Sequence, residues 1–442
     1  MMRLLNVVRM LLTRFYLLLF AALFILCVPN AAPSGATRYE RTLSYAKDIL
    51  FDYITWTLDA IVHKLGVVHG GTATALPTAE QSAFVVAYLE RVAQLSALNS
   101  QLERIYTDPN VTNPEAEAAR VLAQRDYLKA RIASEKSTFE SIVEAQVATV
   151  LRDEGFTLLG EVFPPVSARF TELPMVLIVS PRERIEREIT INTTFLSADQ
   201  MTALEDQIDR ELNVASLVVP IGGLALYPAM IIETANAAFI LETIAHEWLH
   251  HYLYFFPLGL EYLNPNGEAL IINETTASQF GKEVGRKAIV RFYSDYPQIL
   301  SLLPPESAPE TTPSPTPTPD PKATPIFDPG VLMNETRLRV DELLAQGKVA
   351  EAESYMEAQR RVFVANGYAY RKINQAFFAF YGGYQSPSGG GAGGADPIGP
   401  AVAAVRRASG SVQAWIIHMR GITSRQALLD LQNRLKYSSV ID

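Results

Sequence analysis

The sequence feature that most constrains this chain is the segment HEWLH at residues 246–250, inside an apolar run at residues 235–256. Residues four apart share one face of an α-helix, so a helix here offers the imidazoles of His246 and His250 to one metal ion. Glu247 lies on the neighbouring face, where its carboxylate can hold and deprotonate a metal-bound water. Neutral imidazole nitrogens suit zinc, and a catalytic zinc has three protein ligands and one open position. The motif therefore predicts a zinc helix with Glu247 as the general base.

A third ligand is available one short loop further along the chain. Residues 268–292 form a second helical stretch that contains Glu274 in the sequence Asn-Glu-Thr-Thr-Ala. Together the two segments resemble the gluzincin metallopeptidases, whose pattern is HExxH, a longer interval, and a glutamate ligand often set in N-E-x-x-A. The resemblance covers residues 214–290. It implies that His246, His250 and Glu274 hold Zn²⁺ and that the substrate is a peptide.

A structural helix with His246 and His250 as packed core residues is the alternative interpretation. Glu274 in its own motif argues against it, because it is a second and independent coincidence. The chain departs from the gluzincin pattern at Ser278, where many members have an acidic residue that orients the first histidine. His246 therefore needs an orienting group from elsewhere or a backbone carbonyl. His251 points off the ligand face, so we expect a partly exposed or capping residue; the alternative is a group that supports a ligand or contacts the transition state.

The resemblance also implies a tyrosine or histidine from the C-terminal lobe that stabilises the tetrahedral oxyanion. Tyr381, Tyr384 and His418 are the candidates. Tyr381 is favoured because it ends an aromatic helical segment at residues 374–381, in front of the glycine-rich stretch 386–395. The same aromatic pattern is also typical of a packed core.

Composition narrows the function classes. A chain of 442 residues with 48% apolar residues can form a sizeable core and several domains. A net charge of −9 without a basic cluster argues against nucleic-acid binding. The single cysteine, Cys27, rules out an internal disulfide and a cysteine-rich metal site. Nucleic acid is therefore not expected as a partner, and the resemblance implies a peptide or protein substrate.

The N-terminal segment, residues 1–32, predicts export. Arg3, Arg9 and Arg14 precede an unbroken apolar run at residues 15–28. Positive charges before such a run keep the N-terminus inside and place the rest of the chain outside. A cleaved signal peptide and a membrane anchor both fit this segment. We therefore expect a membrane-anchored or secreted protein with an extracytoplasmic catalytic part and the membrane as a partner of this segment.

The remaining chain predicts an α+β fold that is predominantly helical. Residues 33–165 favour helices throughout, with an amphipathic stretch at residues 39–65 and two longer helices that can pair. Residues 166–302 are expected to form a zincin-like catalytic core with a small sheet, the zinc helix and the glutamate helix. Residues 303–330 are rich in proline, threonine and serine and predict a linker or insertion. Residues 331–442 are expected to form a C-terminal helical lobe that closes the cleft.

Within the central region, residues 173–180 and 185–191 predict strands and residues 199–212 predict a helix. Residues 214–232 carry no charge, which raises the possibility of an intramembrane protease. Prolines and glycines divide this stretch into two strand-sized pieces, so we expect a hairpin whose second strand, 224–230, leads into the zinc helix. In gluzincins such a strand borders the cleft and binds an extended peptide at its edge.

The sequence thus predicts a zinc-dependent metallopeptidase that hydrolyses peptide bonds outside the cytoplasm. One alternative is a non-catalytic surface protein in which zinc is structural; Glu247 argues against it, because no structural zinc site requires that residue. The other alternative is a zinc hydrolase of a non-peptide amide. The sequence does not separate this activity from peptidase action, because pocket shape determines the choice of substrate.

Overall fold

The computed structural model describes residues 37–67, 77–262, 267–304 and 327–441. The predicted export segment and most of the predicted linker lie outside these ranges. The described helices are α1 (Arg38–Ala46), α2 (Tyr53–Val67), α3 (Thr78–Thr107), α4 (Pro114–Asp153), α5 (Ala198–Leu212), α6 (Ala237–Leu253), α7 (Pro257–Leu260), α8 (Glu268–Phe292), α9 (Pro297–Leu300), α10 (Pro329–Ala345), α11 (Val349–Ala365), α12 (Gln375–Tyr381), α13 (Ile398–Ala408), α14 (Val412–Met419) and α15 (Arg425–Ile441). Short 3₁₀ turns occur at Lys47–Ile49 and Gly391–Gly393.

The described strands form small sheets. They are β1 (Thr157–Leu158), β2 (Glu161–Val162), β3 (Ala168–Phe170), β4 (Met175–Pro181), β5 (Ile189–Thr193), β6 (Val214–Pro220), β7 (Gly223–Leu224) and β8 (Ala229–Ile231). The predicted α+β fold with a predominance of helices is therefore confirmed.

The first sheet has the strand order β5-β4-β6, and β4 pairs antiparallel with both neighbours. Its two faces contact different cores. Val176 and Ile178 of β4 point towards α10, α11 and α12, whereas Leu177 and Val179 point towards α1 and α5. Both faces are buried, so β4 and β6 have continuous apolar sequences without the alternation of a half-exposed strand.

The hairpin expected within residues 214–232 is wrong in its pairing. Strand β6 pairs with β4, and the chain then crosses at Ile221 and Gly222 into a second sheet of order β3-β8-β7. There β8 pairs parallel with β3 and antiparallel with β7. The physical reason is that β6 is apolar on both faces. Beside β4 the strand lies between two hydrophobic cores, and each core buries one face of β6.

The N-terminal helices α3 and α4 pack against each other as the expected pair. The amphipathic stretch at residues 39–65, in contrast, is interrupted. Leu50 forms a β-bridge with Thr193, and the Phe51 N–H donates to the Asn192 carbonyl at 3.1 Å. Asp52 then accepts from the Thr55 N–H at 3.0 Å and starts α2. The break adds the segment at Leu50 and Phe51 to the outer edge of β5.

The zinc helix of the sequence prediction, α6, lies in the middle of the largest core. Trp248 is fully buried, stacks on Phe280 of α8, and donates its indole N–H to the Pro164 carbonyl at 2.7 Å. The same core contains residues of α4 and of α13, α14 and α15, including Trp415. Packing on several sides holds α6 in place and makes it a rigid platform for a site.

The prediction of a membrane-anchored or secreted protein is wrong. The finding against it is that, within the described ranges, none of the helices is both long and apolar enough to cross a membrane. The apolar helix α6 has 17 residues and carries Glu242 and Glu247. A membrane span needs about 20 predominantly apolar residues. The apolar run that suggested export lies outside the described residues.

Candidate metal centre

Helices α6 and α8 approach closely because α8 has glycines at the crossing. A Cβ atom on Gly281 would lie 2.7 Å from the Glu242 carbonyl oxygen and 3.1 Å from the His246 Cβ. A Cβ on Gly285 would lie 2.8 Å from the Glu242 backbone nitrogen. Larger residues would force the two helices apart. This contact brings Glu274, two turns before Gly281 on α8, to the histidines of α6.

Three donor atoms meet between these helices. The Nε2 atoms of His246 and His250 are 3.0 Å apart, and the Glu274 Oε2 lies 3.4 Å from the first and 3.6 Å from the second. Ligands about 2.0–2.1 Å from a tetrahedral zinc ion would be separated by about 3.3 Å. The Glu274 Oε2 is buried and has no hydrogen-bond partner. The observed triangle therefore fits a zinc ion, which would engage this acceptor.

Hydrogen bonds determine which nitrogen of His250 faces the other donors. Its Nδ1 lies 2.8 Å from the Asn273 Oδ1. The Asn273 amide donates in turn to the Leu258 carbonyl at 3.2 Å, which fixes the orientation of the amide. The Nδ1 of His250 therefore carries the proton, and its Nε2 presents a lone pair. This is the tautomer that a metal ligand needs.

The carboxylate of Glu274 and the imidazole of His250 stabilise each other's charged forms. Burial alone would raise the pKa of Glu274, but the imidazoles of His250 and His246 hold it well below its usual range. Burial opposes the charged form of His250, whereas the Glu274 carboxylate raises its pKa. The Tyr262 hydroxyl donates to the second oxygen of Glu274, and burial raises the pKa of Tyr262. The donor set thus contains a carboxylate anchored on one side and open on the other.

Glu247 lies beside these residues. Ligand atoms of His246, Glu247 and His250 lie within 4.8 Å of one another, so Glu247 itself is near enough to be considered a ligand. We assign that role to Glu274, because its Oε2 is close to both imidazoles and otherwise unpaired. Burial raises the pKa of the Glu247 carboxyl, with the two imidazoles opposing that shift. A carboxylate of raised pKa next to the donor triangle is suited to proton transfer.

The cluster opens into a cavity of about 810 Å³. Residues 223–226, comprising β7 and the residues after it, form one wall, and Thr190, Ile191 and Asn192 of β5 line the cavity as well. A Cβ on Gly223 would clash with the Glu247 carboxylate, so glycine allows this wall to lie directly against Glu247. The lining is predominantly apolar, with the polar groups of the cluster on its surface.

The structure separates the candidates for the oxyanion group. Tyr384 lines the cavity together with Glu274, whereas Tyr381 is not among the lining residues and packs against Phe377 with ring centroids 4.6 Å apart. His418 is also away from the cavity lining, and its Nδ1 lies 3.1 Å from the Ser409 hydroxyl. Of the three, Tyr384 is the residue that the fold places at the cluster.

His251 differs from the expectation of a partly exposed or capping residue. It is buried rather than partly exposed, and its Nε2 donates to the Leu226 carbonyl at 2.7 Å. Burial lowers the pKa of His251 to about 3, so the ring is neutral. This hydrogen bond attaches the cleft wall at residues 223–226 to α6.

Sequence reasoning missed Asn273, Tyr262 and Arg187. Asn273 precedes Glu274 in the NExxA motif, so its place on the helix one residue before a ligand was an available signal. Tyr262 and Arg187 line the cavity through tertiary contacts that no local pattern reveals. Ser278 stands where many gluzincins have an orienting acid, and for His250 the orienting group is Asn273.

No family model matches the chain, and no curated protein or solved structure matches it. The class of site is therefore defined by geometry alone. Two imidazole nitrogens, a buried unpaired carboxylate oxygen and an adjacent carboxylate in a cleft define a candidate metal centre with a base.

Proposed function

We propose that this chain is a zinc-dependent metallopeptidase of gluzincin type. The observation that carries the proposal is the triangle formed by His246, His250 and Glu274, with donor atoms 3.0–3.6 Å apart and a buried carboxylate oxygen that lacks a partner. Glu247 next to the triangle favours a catalytic site, since a structural zinc site needs no such carboxylate.

Zinc, when bound, supplies a Lewis acid that polarises the scissile carbonyl and makes water more acidic. Glu247 holds the attacking water and takes its proton on the carboxylate, while the oxygen bonds to the carbonyl carbon. Glu247 then gives the same proton to the leaving amine nitrogen as the C–N bond breaks. Burial of Glu247 favours its protonated form, which assists the first transfer and shields the proton until the second.

The oxyanion role belongs to Tyr384 in this proposal. Desolvation in the cleft and the nearby Glu274 charge raise the pKa of Tyr384, so its hydroxyl remains a hydrogen-bond donor. Tyr262 has a different role, because its hydroxyl donates to Glu274 and holds that carboxylate in place. One tyrosine thus faces the reacting carbonyl and the other supports the ligand.

The cleft wall supports a peptide as the substrate. Strand β7 is at the edge of the second sheet, next to α6, and residues 223–226 line the cavity. An extended peptide can pair with such an edge through backbone hydrogen bonds and place its carbonyl at the cluster. The second sheet, α6 and α8 together form the zincin-like core of the proposal.

The test is cleavage of a peptide library by the purified full chain, read by mass spectrometry. We expect cleavage that 1,10-phenanthroline abolishes and that added Zn²⁺ restores. Cleavage insensitive to the chelator would contradict the proposal. So would a folded, zinc-loaded chain that cleaves none of the peptides.

A further inference from the structure

We propose that Arg187 is a specificity-determining residue that binds a carboxylate group of the substrate in the cleft. The inference rests on the proposed function in that the carboxylate belongs to a peptide. It goes further by naming a chemical feature of that peptide. The feature is either the C-terminal carboxylate or the side chain of an aspartate or glutamate.

Arg187 lies just before β5 and reaches into the cavity that contains the metal centre. Its Nε donates to the Thr190 hydroxyl at 3.0 Å, and its guanidinium carbon lies 5.4 Å from the centre of the Phe380 ring. The Tyr384 hydroxyl is a further neighbour of the guanidinium. These contacts position the guanidinium plane, yet its Nη1 atom is buried and has no hydrogen-bond partner. A buried donor without an acceptor is unfavourable and is uncommon unless a ligand completes it.

The neighbouring arginines bind carboxylates, whereas Arg187 does not. Arg182 binds Glu353 through two nitrogens, at 2.7 and 2.6 Å, and Arg184 binds Glu186. Among the described residues Arg187 has no carboxylate within 4.0 Å. Glu274 contributes to its electrostatic surroundings, but the two oxygens of Glu274 already face Tyr262 and the two histidines. Arg187 is therefore a cation that has no carboxylate partner among the described residues and has one unpaired nitrogen, Nη1.

A carboxylate is the ligand that matches this position. The planar guanidinium binds a carboxylate through parallel N–H···O bonds, and these are stronger where water is excluded. The rest of the cavity lining is predominantly apolar, including Leu224, Leu226 and Phe380. An apolar peptide side chain can occupy that surface while a carboxylate satisfies Arg187.

The kinetic experiment uses zinc-loaded full chain and two matched pairs of peptides. The first pair has the same apolar sequence with a free C-terminal carboxylate or a C-terminal amide. The second pair is amide-capped and has an internal glutamate or glutamine. We expect the wild type to prefer the carboxylate member of one pair by about tenfold or more in kcat/KM. We expect Arg187→Gln to reduce that ratio to about one, since the neutral side chain treats both members alike.

Preference within the first pair identifies the terminal carboxylate as the source, and preference within the second identifies an acidic side chain. Either result supports the proposal if Arg187→Gln removes it. Arg184→Gln is the matched control, because Arg184 is exposed and paired, and it should leave the ratio unchanged. Arg187→Lys keeps the charge without the planar fork and should retain only part of the preference. No preference in the wild type, or a preference that survives Arg187→Gln, would overturn the proposal.

A binding measurement separates this inference from the proposed function. Isothermal titration calorimetry compares N-acetylphenylalanine with N-acetylphenylalanine amide, and N-acetylglutamic acid α-amide with the corresponding glutamine derivative. Tighter binding of an acid, lost in Arg187→Gln, would support the carboxylate subsite even if no peptide is cleaved. Equal binding of acids and amides would overturn the subsite even if peptides are cleaved. Unchanged zinc content and thermal unfolding of Arg187→Gln show that the variant is folded.

Discussion

Two buried carboxylate clusters in this protein differ in whether their hydrogen bonds are complete. In the first, the Lys64 ammonium on α2 lies 2.8 Å from Glu140 and 2.8 Å from Glu144, both on α4. Glu140 also accepts from the Phe170 N–H at 2.9 Å and Glu144 from the Ala168 N–H at 2.6 Å. This cluster has a cation and backbone donors for its charges, and it connects α2, α4 and β3.

The second cluster contains Glu274, His246 and His250, and one of its buried polar atoms has no hydrogen-bond partner. One oxygen of Glu274 accepts from Tyr262, but the other is buried and unpaired between two imidazole nitrogens. A buried polar network with all its hydrogen bonds formed stabilises a fold, whereas a buried acceptor without a partner is uncommon and is compatible with an open ligand position. The two clusters therefore differ at the Oε2 of Glu274, which lies unpaired between the two imidazole nitrogens.

Of the changes that distinguish the two clusters, substitution of Glu247 is expected to have the largest effect, and this effect is on kcat. Glu247→Gln should lower kcat for a cleaved library peptide by on the order of 10²–10⁴, because the amide cannot take the proton of water. Zinc content should stay at the wild-type level, since Glu247 is not a ligand in our assignment. The measurement is kcat together with zinc by atomic absorption. Glu268→Gln on α8, which removes a partner of Arg425, is the control and should keep its activity. Full activity of Glu247→Gln would contradict the assigned role.

The complete cluster is tested by Lys64→Met. Removal of the cation leaves Glu140 and Glu144 buried without their charge partner, which should lower the free energy of unfolding by about 3–5 kcal/mol. Zinc content of the folded variant should not change. Urea unfolding measures the effect, and Lys129→Met at an exposed position of α4 is the matched control. A stability of Lys64→Met equal to the control would show that this cluster is not structural.

The orientation of His250 is tested by Asn273→Ala. Loss of the acceptor for the Nδ1–H of His250 should weaken zinc binding by about 10–100-fold. Competition with a chelating dye measures the affinity. Asn273→Asp keeps an acceptor oxygen at this position and should lose much less affinity. Equal affinities of Asn273→Ala and the wild type would show that this hydrogen bond does not prepare the ligand.

The smallest expected effect concerns the helix crossing that creates the incomplete cluster. Gly281→Ala places a methyl group against the Glu242 carbonyl and should cost about 1–3 kcal/mol of unfolding free energy. The shifted helices should also weaken zinc binding. Gly421→Ala, with nothing within 4 Å of the added Cβ, should change stability by about 0.5 kcal/mol or less. Identical stabilities and zinc affinities of the two variants would mean that the close approach is unimportant.

Local sequence accounts for one half of the site. The spacing of His246 and His250 places both rings on one face of α6 wherever that helix packs. The position of Glu274 opposite them depends on the crossing at Gly281 and Gly285, and the sequence suggested it only through a motif resemblance. The distinction between Tyr381 and Tyr384 depends on how the C-terminal residues meet the cleft, so a helical pattern did not decide it.

In the sheets, too, the local sequence predicted the elements but not their partners. The apolar runs of β4 and β6 predicted strands, because a charge-free segment of strand length between turn residues is typical of a buried strand. Their partners were not predictable, since both faces of each strand are apolar and local pattern does not specify the neighbour. The break at Leu50 likewise depends on pairing with Thr193, which is distant in sequence.

The three-ligand zinc site is tested by the zinc content of the folded wild-type chain, measured beside that of Glu274→Ala. The matched control is Glu268→Ala, nearly two turns earlier on α8. We expect about one zinc per chain in the wild type and the control, and loss of zinc in Glu274→Ala, because a catalytic zinc needs three protein ligands. A folded wild type without zinc, or a zinc content that Glu274→Ala leaves unchanged, would show that these residues do not form the proposed zinc site.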